Sequence, residues 1–189
     1  MNTDLQYTIY DIRHTSDRSR VTRHDLAFTL VEILIVVVLL GILAAVVIAT
    51  VGNSTTSAKA SAVAVDLQLL RRFILIYACQ HLEVAPGYLN GDTTAAPTEQ
   101  AFVEQATMSS NTSGQTAAVG TPGFERGRYM QKIPVNPFNN LGTVQMLADG
   151  DPFPANADDS HGWIYKAATG EIRADTSGTD SNGKRYYDY

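Results

Sequence analysis

The stretch from Phe28 to Val51, FTLVEILIVVVLLGILAAVVIATV, constrains this chain more than any other feature. Between Ile33 and Ala49 no side chain is polar. A helix needs about 20 apolar residues to cross a hydrocarbon core of roughly 30 Å, and this run supplies them. A helix in the core of a water-soluble protein keeps one polar face, and here there is none. The run therefore predicts a membrane-spanning helix over 28–51. Arg13, Arg18, Arg20 and Arg23 precede it, while the first basic residue after it is Lys59. That asymmetry predicts a cytoplasmic N-terminus, with the bulk of the chain across the membrane. A cleaved secretory signal is the competing reading, with Ala44-Ala45 or Ala49 as its small-residue site. The run is long for such a signal, and the polar leader before it is unusually long.

One carboxylate, Glu32, stands near the start of the run. An unpaired carboxylate in lipid costs several kcal/mol by any scale, so such a residue calls for a solvent or a partner. Glu32 either lies shallow at headgroup level and is solvated, or is neutralised by a cation from a neighbouring chain. Position alone leaves both readings open.

The residues Ala27-Phe28-Thr29-Leu30-Val31-Glu32, followed by ILIVVVLLGILAAV, closely resemble the N-terminal signal of type IV prepilins and type II secretion pseudopilins. The resemblance implies that a membrane-bound prepilin peptidase cuts between Ala27 and Phe28 and methylates the new amino group of Phe28. It also implies that Glu32, fifth in the mature chain, pairs with the N-terminal amine of an adjacent subunit. Fixing register is the best-attested use of buried polar pairs. Ala27 stands where the family usually has Gly, and Ala49 where it often has Pro. Gly41 is then the weakest point of the helix, since Gly costs about 1 kcal/mol relative to Ala in a helix in water.

Beyond Val51 the chain stays helical in pattern but becomes amphipathic. Val63, Leu67, Leu70, Ile74 and Tyr77 recur at three- and four-residue spacing, with Asp66, Gln68, Arg71 and Arg72 elsewhere. The pattern predicts one helix continuous from Phe28 to about His81, ended by Pro86-Gly87, with Gly52-Asn53-Ser54 as the place for any kink or break between its halves. Cys79, the sole cysteine, excludes an intrachain disulfide and reads as a small core residue. From Pro86 to about Gly123 the chain reads as a long connector, with AFVEQATM (Ala101 to Met108) its helical insert.

In the block Tyr129 to Phe138, YMQKIPVNPF, two prolines three apart exclude a central strand or a helix. The block resembles a loop of major pseudopilins, in which a Tyr and a basic residue precede a Leu-Pro and then a Pro-aromatic pair. Gly162 to Ala167 and Glu171 to Asp175 alternate around Ala168-Thr169-Gly170, a β-hairpin signal. With a strand over 143–147, these segments predict a small antiparallel sheet packed on the long helix and anchored by Trp163. The expected architecture is α+β: leader 1–27, transmembrane helix 28–51, amphipathic helix 52–85 and globular head 86–189.

Asp149, Asp151, Asp158 and Asp159 fall in one loop, and Asp175, Asp180, Asn182 and Asp188 in the tail. Without EF-hand spacing these read as solvated acidic loops. The resemblance to major pseudopilins implies calcium as the one candidate cofactor. Asp175 and Asp180 are its first candidate ligands, because DTSGTDSNG resembles the family's final loop. Net charge of −5 argues against nucleic acid as a partner of the head. His14, His24, His81 and His161 lack metal-ligand spacing, and no phosphate loop, nucleophile elbow or Cys-His arrangement is present, so no enzyme is expected.

The sequence thus predicts a structural filament subunit in a type II secretion pseudopilus or related type IV pilus-like filament. Its expected partners are prepilin peptidase, copies of itself and other pilins or pseudopilins, an inner-membrane assembly platform and membrane lipid. Its expected place is the inner membrane, with the head periplasmic or extracellular. The alternatives are a type IV pilin for adhesion, motility or DNA uptake, and a monomeric membrane-anchored binding protein.

Overall fold

The computed structural model describes residues 29–189, and for 48–53 the backbone alone. Helix α1 spans Leu30–Gln80 as the one continuous helix expected, and it passes through Gly52, Asn53 and Ser54 without a break. The chain divides into two compact units, Met1–Ala44 and Ala45–Tyr189.

In the second unit the predicted amphipathic face is the observed one. Val63, Leu67, Leu70, Ile74 and Tyr77 are all buried, joined by Phe73. Each such side chain contributes roughly 1.5–3 kcal/mol when removed from water. Cys79 is exposed, correcting its reading as a core residue. It sits two positions past Tyr77, about 200° around the helix, and so faces away from the core. After Gln80 the chain turns through Leu82 and Glu83, both with positive φ (58° and 64°), and the Glu83 N–H donates to the Ala78 carbonyl at 3.0 Å. The helix thus stops before Pro86-Gly87, in a left-handed turn built without glycine.

The connector is packed and not merely solvated. Helix α2, Glu99–Thr107, begins at Thr98, whose hydroxyl accepts the Ala101 N–H. From α2 the buried Gln105 accepts the Gly87 N–H at 2.7 Å and donates to the Tyr88 carbonyl at 2.8 Å. One amide thereby satisfies two backbone groups that would otherwise be buried unpaired. Strands β1 (Ser109–Ser110), β2 (Thr116–Ala117) and β3 (Arg126–Gly127) form a small antiparallel sheet in the order β2-β1-β3. The sequence did not show it, because two-residue strands carry no alternation.

The second sheet has the order β4-β5-β6, from Val144–Leu147, Trp163–Lys166 and Glu171–Ala174. The predicted hairpin is β5-β6, with Trp163 opposite Ala174 and Lys166 opposite Glu171. Strand β4 lies parallel to β5, not antiparallel as expected. The intervening segment 148–162 is long enough to carry the chain back to the starting edge, as a parallel pairing requires. Strand β5 is buried on both faces: Trp163 and Tyr165 face the main core with α1 and α2, while Ile164 packs with Leu147 and Tyr187. The α+β class is as expected.

His81 fastens the end of α1 to the first sheet. It is buried and stacks on Tyr77 with ring centroids 3.8 Å apart. Its Nδ1–H donates to the Tyr77 carbonyl at 2.7 Å, because a carbonyl can only accept; neutral Nε2 then accepts the Ser110 hydroxyl at 2.9 Å. Burial pushes this imidazole below its ordinary pKa, opposed by the Tyr77 carbonyl and reinforced by the Arg126 charge. In the unfolded chain His81 takes a proton near pH 6.5, whereas the folded head holds it neutral to lower pH. The unfolded state therefore binds more protons, and the stability His81 gives above about pH 6.5 is lost as pH falls below it. The unfolding midpoint of wild type should drop between pH 7 and pH 5 more steeply than that of His81→Gln; parallel curves would contradict this role.

Candidate assembly segment and head loops

Ala27 and Phe28 lie outside the described residues. At Thr29 the hydroxyl accepts the Glu32 N–H at 3.1 Å and the carbonyl accepts the Ile33 N–H at 3.2 Å. Thr29 is thus the N-cap of α1, and its spacing to Glu32 is that of a capping box. A carboxylate here lies in the first turn, at the positive end of the helix. Glu32 is exposed and makes no ion pair among the described residues.

From Leu30 to Val47 the helix is long and apolar enough to cross a membrane. Its large apolar side chains are between 45% and 82% exposed and point in every direction. Among the described residues these side chains stay largely exposed. Water is a poor surround for a patch of this size, so lipid or other apolar helices must supply the missing contacts.

In the head, the proline block is a structural clasp. Pro134 accepts the Trp163 indole N–H at 2.9 Å, and Trp163 is fully buried. Asn136, also fully buried, donates to the Gly162 carbonyl at 3.0 Å and the Thr176 hydroxyl at 2.6 Å, and accepts the Phe138 N–H. Asn139 donates to the carbonyls of His161 at 2.6 Å and Asp175 at 3.0 Å. Gly162 is obligatory at this crossing, because a Cβ there would collide with the Leu141 carbonyl. The prolines cannot donate, so the loop is held by side-chain amides and not by a strand ladder.

The two candidate calcium ligands serve different donors. Asp175 is fully buried, and its carboxylate accepts the N–H groups of Asp158, Asp159 and His161 at 3.0, 3.2 and 2.8 Å. Asp180 accepts the Asn182 and Lys184 N–H groups at 2.8 and 3.0 Å and the Tyr189 hydroxyl at 2.9 Å. The Tyr189 hydroxyl, with these N–H groups behind it, holds the Asp180 carboxyl below the usual carboxylate range. Elsewhere Tyr88 donates to Asp149 at 2.8 Å. Among the described residues no three His, Cys, Asp or Glu side chains gather as a metal-binding group.

Sequence reasoning missed Asn136, Asn139 and the burial of Asp175. The asparagine between two prolines was the available signal, since a polar residue in a strand-breaking loop often bonds the backbone. Asn136→Ala removes one acceptor and two donors from a buried site and should destabilise the head by roughly 2–3 kcal/mol. Val135→Ala, at a side chain 44% exposed, should be near neutral. Thermal unfolding of the two variants checks the contrast, and equal midpoints would contradict the clasp.

Residues 22–48 match the family model described as the prokaryotic N-terminal methylation motif. The chain is 29% identical over 132 residues to type II secretion system core protein G of Pseudomonas aeruginosa, covering 70% of this chain and 80% of that protein. No solved structure matches it significantly. The methylation motif across the apolar helix and the similarity over most of the chain together support a pseudopilin or type IV pilin.

Proposed function

We propose that the chain is the precursor of a subunit of a type II secretion pseudopilus or a closely related filament. A prepilin peptidase cuts between Ala27 and Phe28 and methylates the Phe28 amine. Glu32 then pairs with the N-terminal amine of a neighbouring copy. One observation carries this reading: Glu32 lies in the first turn of an otherwise apolar, uncovered helix whose start matches a methylation motif. Cleavage makes a cation close to the helix start, and staggered neighbours can set it against the carboxylate. In a low-dielectric surround that pairing outweighs solvation only where the geometry is good, which makes it a device for axial register.

Other helices of the same kind give Leu30–Val47 van der Waals contacts, and lipid covers the remainder. The arginines of the leader keep the N-terminus cytoplasmic, so the head faces the periplasm or the outside. Copies of the chain, related pseudopilins, the peptidase and an inner-membrane assembly platform are the partners this requires. The similarity to a secretion-system core protein favours secretion over adhesion or DNA uptake.

N-terminal sequencing and intact mass of membrane-extracted protein test the reading. In cells that hold the peptidase, the mature chain should start at Phe28 and carry one added methyl group. Glu32→Ala should still be cut but should leave the sheared filament fraction. A leader retained in such cells, or a start at any other residue, would sink the proposal.

A further inference from the structure

Asp175 is a buried ionisable side chain for which the assembly reading has no use. It follows β6 directly, where the tail leaves the sheet. Its Oδ1 accepts the N–H groups of Asp158 and Asp159, and its Oδ2 accepts the His161 N–H, with the Ser160 hydroxyl at a longer 3.5 Å. A carboxylate offers about four lone-pair sites, and here three of them have a backbone N–H directed at them, while the Ser160 hydroxyl also lies 2.8 Å from His161 Nδ1. Those hydrogens present positive charge to whatever approaches the same oxygens, so a cation can enter only by breaking them away.

The carbonyl oxygens beside Asp175 also accept side-chain amides. Asn139 donates to those of His161 and Asp175, and Asn136 to that of Gly162. At Asp180, one oxygen accepts two backbone N–H groups and the other accepts the Tyr189 hydroxyl, while the Lys184 ammonium lies 5.0 Å over the Tyr189 ring. A fixed cation is therefore already near the second carboxylate. The proline block, the loop 158–161 and the segment after β6 are joined by one carboxylate and two amides.

We propose that this head folds without calcium or any other divalent cation, because the Asp175 carboxylate and its N–H donors hold the 158–161 loop to the end of β6 as an ion would. The inference does not rest on the filament reading, and its test is indifferent to processing or assembly. Trp163, the sole tryptophan and fully buried, reports unfolding by its fluorescence. The full chain in detergent micelles should unfold at the same midpoint in calcium chloride as in EDTA. Asp175→Asn keeps the size but turns an amide N–H₂ toward N–H donors, and its midpoint should fall by about 5–10 °C in both solutions. A wild-type midpoint raised by calcium or lowered by EDTA would overturn the proposal. So would an Asp175→Asn chain that unfolds where wild type does. If that variant fails to fold at all, the wild-type comparison decides alone.

Discussion

Between Val63 and Tyr77, α1 buries one face, formed by Val63, Leu67, Leu70, Phe73, Ile74 and Tyr77, under the head. Between Leu30 and Val47 it offers its apolar side chains in every direction, and among the described residues they stay largely exposed. Removal of these side chains from water is the requirement on which the rest depends. The head satisfies it internally, by laying α2 and the β4-β5-β6 sheet on the amphipathic stretch. The first stretch has no such solution and needs a surround that is itself apolar. Glu32 is the exception that gives this stretch direction, since a lone carboxylate in such a surround has to meet a cation or stay at the edge.

Inside the head, polar side chains do what regular ladders cannot. Gln105 satisfies the connector, His81 closes the end of α1 on Ser110, and Asn136, Asn139 and Asp175 hold the prolines, the 158–161 loop and the tail together. Buried groups of this kind are costly when half satisfied and rigidifying when complete. The loops therefore stay ordered with little sheet beneath them, and the surface they present is fixed by the same contacts.

Much of this was legible in the sequence, and the legible parts share a cause. Hydropathy marked the stretch of α1 that is long and apolar enough to cross a membrane, and three- and four-residue spacing marked Val63, Leu67, Leu70, Ile74 and Tyr77, because one dominant force sorts those residues. The hairpin at Trp163–Lys166 and Glu171–Ala174 was marked by its turn. Whatever depended on distant partners was not marked. The parallel placement of β4 follows from where the 148–162 segment leads, and the β2-β1-β3 sheet is too short to show a period. Asp175 resembled its solvated neighbours in composition, although its place after β6 buries it. Cys79 was misread because the helix phase, and not its residue type, decides which way it faces.

The central claim is that the uncovered apolar stretch of α1 packs against the same stretch of other copies. A photo-crosslinking residue placed at Val37, in the full chain within native membranes, tests it most directly. The account predicts a ladder of crosslinked multimers of this chain and its pseudopilin relatives. A crosslink pattern confined to lipid and monomer would contradict it.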